Sequence, residues 1–334
     1  MNNGEADGLT SMTGATRAGQ PLGFSRLPSP LLRPWVARLG VTRVDLPPGE
    51  HLTGSMMSES AGLRVLFGSD WTGWTADGER IFRPGVSGTS LLFGSNSRAM
   101  RIRVEGSFAV ATINLTAGAL AAAGGPPPAS LIDRIVDYDE LVGHGRLSTR
   151  LRPEGEPEEW IAAIEQELLS FIARRHPPPP DPLITAFEQA TLGDPTFAIN
   201  DFARDHGVSQ RTLERVVRRG MGVTPGFALR RARALDMAAV LLGVALAEEE
   251  PELRLRYFDQ SHLIREMRHF FDLLPRQFLD DAHPLLRISV EIRQARRVAL
   301  LDRVARGEIN PWRDPAAEPR ARRPAPARLS RTAS

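Results

Sequence analysis

The stretch from Ile199 to Ala282 runs through one local plan twice, and that repeat constrains the fold more than any other feature of the chain. In the first pass, Ile199, Phe202 and Ala203 form an apolar stripe at helical spacing that stops at His206-Gly207. Ser209 supplies an N-cap, and Gln210 and Arg211 open a second helix whose Leu213, Val216 and Val217 face inward. Arg211, Thr212, Arg215, Arg218 and Arg219 make up its other face. A short helix, a turn containing Gly and a second helix exposing arginine is the geometry that lays a recognition helix in a major groove. Arginine suits that task twice: its planar fork holds a guanine edge with two hydrogen bonds, and its permanent charge attracts phosphate.

Helix corners of this kind also occur in ordinary helical proteins with merely solvated arginines, so the continuation matters. Gly220-Met221-Gly222-Val223-Thr224-Pro225 ends the helix, and Phe227 to Leu242 begins another on Ala232, Leu235, Met237, Ala238 and Leu241. Arg256-Tyr257-Phe258 then predicts a turn, and Asp259 caps a helix from Gln260 to Phe271. Leu273-Leu274-Pro275-Arg276-Gln277-Phe278 echoes the earlier exit, with Pro near a helix start where its missing N–H costs nothing. Two such units joined by one helix fit two adjacent major-groove contacts on one face of a duplex.

These residues resemble the AraC/XylS family of bacterial transcription regulators. The resemblance rests on Gly-Val-Ser-x-Arg-Thr-Leu-x-Arg at 207–215, Gly-Val-Thr-Pro at 222–225 and Asp-Gln-Ser-His-Leu-Ile-Arg-Glu at 259–266. It covers about residues 183–284 and implies a seven-helix DNA-binding module. On matching positions it implies a first reader using Gln210, Arg211, Glu214 and Arg215, and a second using Gln260, Ser261, Ile264 and Arg265, with Arg268 near phosphate. Ser209, Thr212, Arg218, Arg219 and His262 complete the expected DNA-binding set. One departure stands out. The helix before the second reader is here Glu248-Glu249-Glu250-Pro251-Glu252-Leu253-Arg254-Leu255-Arg256, and Pro251 is excluded from a helix interior. A short helix beginning at Pro251, with Leu253 and Leu255 as apolar anchors, predicts a less firmly held second reader.

Upstream, from about Leu27 to Tyr138, short apolar runs are punctuated by Gly, Pro, Asn and Asp, which predicts β-structure. Strands are expected at 42–46, 63–67, 90–93, 100–104 and 108–115, bounded by Pro47-Pro48-Gly49, Asp77-Gly78 and Gly94-Ser95-Asn96. Such spacing favours a sandwich or small barrel. The resemblance implies a cupin-like barrel here that senses an effector or forms oligomers. A cupin enzyme would need several His and a carboxylate converging on one ion, and only His51, beside Glu50, falls in this region. No nucleophile elbow, phosphate loop or nucleotide fingerprint is present, so neither enzyme, metal nor cofactor is expected. Trp71 and Trp74 have two readings: core packing at a hairpin, or the aromatic wall of an effector pocket.

Between the two parts, Pro157 to His176 reads as an amphipathic helix with Trp160, Ile161, Ile164, Leu168, Phe171 and Ile172 on one face. It packs on its own domain or pairs with the same helix of a second copy. Pro177 to Pro180 predicts a semi-rigid spacer keeping the two domains apart, and Asp181-Pro182 starts the next helix at Leu183. Leu285 to Val304 predicts a further helix beyond the repeat, anchored by Trp312, and the Pro/Ala/Arg segment from Arg313 cannot bury a core.

The expected fold is α+β with two domains. In order, the expectation is a disordered leader (1–26), a β-rich sensing domain (27–150), the amphipathic helix (151–176), a Pro-rich linker (177–182), the DNA-binding domain (183–284), an extra helix (285–312) and a disordered basic tail (313–334). Net charge is only +2, but all 42 basic residues are Arg, so every positive charge persists at physiological pH. From Pro284 onward 12 Arg face five acids, which suits nonspecific attraction to nucleic acid. Cysteine is absent and no run approaches a membrane span, which predicts a cytoplasmic protein. The expected partners are double-stranded DNA, a small-molecule effector, a second copy of the chain and RNA polymerase. Two alternatives stay open: a helix-turn-helix module that recruits a protein instead of DNA, and a cupin-like enzyme fused to a DNA-binding domain.

Overall fold

Alternation of apolar and polar residues builds ten strands among the described residues, all paired antiparallel. The computed structural model describes residues 23–142, 147–256, 259–280 and 283–301. The strands are β1 (Gly23–Arg26), β2 (Val36–Val44), β3 (Leu52–Met56), β4 (Gly62–Gly68), β5 (Trp71–Thr75), β6 (Gly78–Phe82), β7 (Gly85–Phe93), β8 (Met100–Val104), β9 (Phe108–Leu115) and β10 (Ile135–Asp137). One sheet has the order β1-β2-β9-β4-β7-β10 and the other β3-β8-β5-β6. Leu66, Leu91, Phe93, Ile102, Phe108 and Val110 fill the space between the sheets. On β4 the alternate residues Leu63, Val65 and Phe67 face the other way, where a helix covers them.

The helices are α1 (Ala119–Ala122), α2 (Tyr138–Val142), α3 (Pro157–Arg175), α4 (Pro182–Gly193), α5 (Ile199–Asp205), α6 (Gln210–Met221), α7 (Pro225–Leu241), α8 (Glu250–Leu255), α9 (Gln260–Phe271), α10 (Gln277–Asp280) and α11 (Pro284–Leu300). Helix α3 starts from a capping box in which Glu156 and Glu159 satisfy each other's backbone N–H, and it ends at His176 in the left-handed region. Its first half is buried on the larger sheet through Trp160, Ile161 and Ile164. Each such side chain contributes about 1.5–3 kcal/mol by leaving water. Phe67 and Trp160 lie 5.1 Å apart at 50°. Its second half is only partly covered: Leu168, Phe171 and Ile172 line a groove of about 800 Å³ with Trp35 and Leu120. So α3 packs on its own domain and leaves part of its apolar face at that groove.

Three expectations change. First, Gly23–Arg26 is a strand paired with β2, so ordered structure begins inside the segment read as leader; local composition hides β1 because its pairing partner is some 16 residues away. Second, the proline spacer does not hold the domains apart. Trp35 Nε1 donates to the Pro178 carbonyl at 2.9 Å, Pro180 is buried, and the helical region packs against the sheets. A polyproline segment fixes a distance along the chain but says nothing of which surfaces meet beside it. Third, α11 is no appendage. It crosses β3 and also packs on α4 and α7, burying Leu285, Leu286, Val290 and Val298. The expected anchor Trp312, the tail from Arg313 and the turn at Tyr257-Phe258 lie outside the described residues.

Candidate nucleic-acid interface

The first reader is held from below by apolar contacts and from its start by a cap. Helices α5 and α6 meet through Phe202, Ala203, Leu213 and Val217, which are buried with Phe187 of α4. Gly207 has φ 66°, a left-handed turn conformation that favours glycine. Ser209 Oγ accepts from the Thr212 N–H at 3.1 Å and starts α6. Once Leu213, Val217 and Met221 point inward, the 3.6-residue period leaves Gln210, Arg211, Arg215, Arg218 and Arg219 exposed. Ser209 is also exposed; Thr212 and Glu214 are half-buried. Arg218 pairs with Glu214 one turn back at 3.0 Å, while Arg215 makes no ion pair among the described residues.

The second reader repeats this construction. Asp259 accepts from the His262 N–H at 2.6 Å and starts α9, whose Met267, Phe270 and Phe271 are buried. Gln260, Ser261, Arg265 and Arg268 are exposed, with His262 and Ile264 half-buried at the edge of that face. Glu266 is turned inward and takes Arg230 of α7 at 2.9 Å. Burial lowers the pKa of His269, and Arg230 and Arg98 lower it further, so this imidazole is neutral and adds no charge to the face.

Pro251 sits in the first turn of α8, as a proline must, and Leu253 is buried. Leu255, expected as a second anchor, is 77% exposed. A buried polar network takes its place. Arg256 at the end of α8 pairs with Asp236 of α7 and, at 3.0 Å, with Glu252. From α11, Arg293 also reaches Asp236, while Gln294 donates to Glu249 at 2.5 Å and Arg297 pairs with Glu249 at 3.1 Å. Burial disfavours charge on Arg293, but Asp236 and Glu59 more than offset it and raise its pKa. The second unit is therefore braced by α11 through charge, a support that apolar periodicity cannot reveal.

The last carbonyls of a helix have no partner within it, and here the β domain supplies partners for both α6 and α9. Ser95 Oγ donates to the Met221 carbonyl at 3.3 Å at the end of α6, and the Gly118 N–H donates to the Gly220 carbonyl at 3.0 Å. Ala99 N–H donates to the Phe270 carbonyl at 2.6 Å at the end of α9. Arg231 of α7, 1% exposed, donates to the carbonyls of Asn96 and Glu59, both at 2.8 Å. One loop, Gly94 to Ala99, thus holds the ends of α6 and α9 and the helix between them. Sequence reading marked Gly94-Ser95-Asn96 only as a turn; two polar residues kept at 3% and 4% exposure are the sign of its role, and burial is not written in a sequence.

The two tryptophans part company. Residues three apart on a strand face opposite sides, and Trp71 points between the sheets, 5.0 Å from Phe108, on the wall of a cavity of about 80 Å³. Trp74 is half-buried on the outer side, with Arg101 4.3 Å above its ring. Among the described residues no cluster of His, Asp or Glu could hold a metal, and no helix is long and apolar enough to cross a membrane.

The chain is similar to ToxT from Vibrio cholerae. In apo form that protein shares 8% identity at a TM-score of 0.43, over 76% of this chain and 99% of that one. The C-terminal domain of AraT, a response regulator from Geobacillus stearothermophilus, is 19% identical over 30% of this chain and 86% of its own, with a TM-score of 0.27. The AraC-like transcriptional activator CuxR is 11% identical over 63% of this chain and 84% of its own, with a TM-score of 0.26. No protein-family model and no curated protein matches the chain.

Proposed function

We propose that the chain is a sequence-specific DNA-binding transcription regulator of the AraC/XylS type, with α6 and α9 as its reading helices. The observation that carries this is the matched construction of the two units. Each has a side-chain N-cap, a buried apolar side and an exposed side bearing arginine, and the far ends of both rest on one loop of the β domain. Arg211, Arg215 and Arg265 are suited to read base edges, with Gln210, Gln260 and Ser261 beside them. Arg218, Arg219 and Arg268 lie nearer the helix ends and are suited to phosphate.

Control enters through the β domain, by a small effector or by association of two copies. Either signal that moves the Gly94–Ala99 loop shifts the carbonyl partners of both readers together. Two readers bind adjacent grooves well only at one mutual spacing, so a small shift there changes affinity at both. Fluorescence anisotropy on a duplex from the chain's own upstream region, beside an unrelated duplex of equal length, tests the reading. A regulator prefers its own duplex; equal binding that salt abolishes leaves only a basic protein, and a helix-turn-helix module that recruits another protein then becomes the better account.

A further inference from the structure

The space between the two sheets holds a positive charge that nothing around it balances. Arg64 stands beside Leu66 on the inward side of β4 and lines the 80 Å³ cavity between the sheets and α11. Its guanidinium has the Met56 sulfur at 2.7 Å and the Phe93 ring centroid at 4.2 Å. Neither is an anion, and among the described residues no carboxylate pairs with it. Burial accordingly pushes its pKa down to about 10, with no opposing charge to raise it. The other arginines on the cavity wall are engaged: Arg293 with Glu59 at 2.8 Å and Arg296 with Glu188 at 2.6 Å. On the same wall Trp71 Nε1 is buried without a hydrogen-bond partner. A half-buried cation with no carboxylate partner and a buried N–H without a hydrogen-bond partner in one cavity are both unfavourable in isolation, and an anion that accepts hydrogen bonds removes both penalties.

We propose that this cavity binds a compact monocarboxylate, its carboxylate on Arg64 and its apolar body among Met56, Phe108 and Ile288. One uncompensated charge calls for one negative charge, which disfavours a phosphate dianion. The planar guanidinium matches a carboxylate in two parallel hydrogen bonds. The walls are mainly apolar, and at about 80 Å³ the space is roughly half that of a cavity that takes a benzene ring, so it holds a body of a few carbon atoms. Residues 58–60, on the cavity wall, include the Glu59 carbonyl that takes Arg231, and α11 closes the cavity while its Arg293 reaches Asp236. Occupancy therefore bears on the supports of the readers, a consequence that rests on the regulator proposed above, whereas the binding itself does not.

The test uses the full chain without DNA: isothermal titration and thermal shift with acetate, propionate and butyrate, each against its amide. The carboxylates are expected to bind and raise the melting temperature, and the amides to bind about tenfold or more weaker. Arg64→Met is expected to fold at least as stably as the wild type, because it removes a partly desolvated charge with no carboxylate partner, and to lose the carboxylate response. Trp71→Phe, which deletes only the N–H and part of the ring, is expected to weaken binding without abolishing it. Carboxylates that produce no heat and no shift, amides that bind equally, or binding that survives Arg64→Met would each overturn the proposal. Because DNA is absent, failure here leaves the regulator reading intact, and failure of DNA preference leaves this site intact.

Discussion

Arg215 and Arg218 stand one turn apart on α6 and are placed for different tasks. Arg218 is exposed and already shares an ion pair with Glu214 across one turn, an interaction of only a few tenths of a kcal/mol that is easily exchanged for phosphate. Arg215 is exposed and free of ion pairs among the described residues. Arg215→Ala should therefore weaken binding to the preferred duplex by about 1–3 kcal/mol and affect random DNA far less. Arg218→Ala should weaken both alike and reduce the salt slope by about one, both read from anisotropy titrations. At the other end of the chain, Arg26 of β1 clamps Glu165 of α3 at 2.7 Å. Burial alone would raise the Glu165 pKa, but hydrogen bonds from Arg26 and the Ser29 backbone, with the Arg26 charge, hold it below the usual carboxylate range. A depressed folded pKa gives stability that is complete above the unfolded value near 4.3 and lost as pH falls through the lower folded value. The melting-temperature gap between wild type and Glu165→Gln should thus be constant above about pH 5 and close at lower pH. A gap unchanged at pH 3 would contradict the clamp. Asp236 carries the heavier load: Asp236→Ala leaves Arg256 and Arg293 buried against each other and should cost about 3–5 kcal/mol by urea unfolding.

Helix ends, as well as the mid-helix arginines Arg231 and Arg293, join the helical region to the β domain. Gly222, just past α6, has φ 79°, and a Cβ added there would stand 2.8 Å from the carbonyl carbon of Pro128. The left-handed conformation and that backbone contact both exclude a side chain. Gly222→Ala should lower stability by more than about 1 kcal/mol and also blunt DNA preference, because the loop contact on Met221 is displaced with it. Melting curves together with anisotropy check this, and a variant with lowered stability but unchanged preference would remove the end of α6 from the coupling. At this scale the helices were legible because their caps and periodicity are local: Ser209, Thr224 and Asp259 each bond the N–H three residues on, as their positions before an apolar stripe predict. Strands β4, β8 and β9 were legible for the same reason. Strands β1, β3 and β10 were not, being short or polar and defined by partners elsewhere in the chain, and β5 and β6 were foreseen only as a hairpin reading of Trp71 and Trp74. The exposed arginines of α6 followed from spacing, while those of α9 were expected only from the resemblance of 259–266. Arg64 could have been read the same way, as a charge on the inward side of an alternating strand; the loop at Ser95 and the ion network around Asp236 could not, since both exist only once distant elements meet.

In the whole molecule, the sandwich, α11 and the reading helices form one connected body, joined by Arg231, Arg293 and the backbone bonds at Ala99 and Gly118. On the function proposed above, two arginine-bearing helices held in one frame read a sequence together. Each phosphate neutralised by arginine releases counterions, so binding to any DNA should fall with salt, while base readout should persist. The most direct measurement is anisotropy of the full chain on a duplex from its own upstream region and on an unrelated duplex, at two salt concentrations, for wild type, Arg215→Ala, Arg265→Ala and the double variant. The account predicts a preference that survives the higher salt, is reduced by each single change, and in the double variant falls to the level of the unrelated duplex. Equal binding of both duplexes by the wild type, or a preference untouched by losing both arginines, would contradict it.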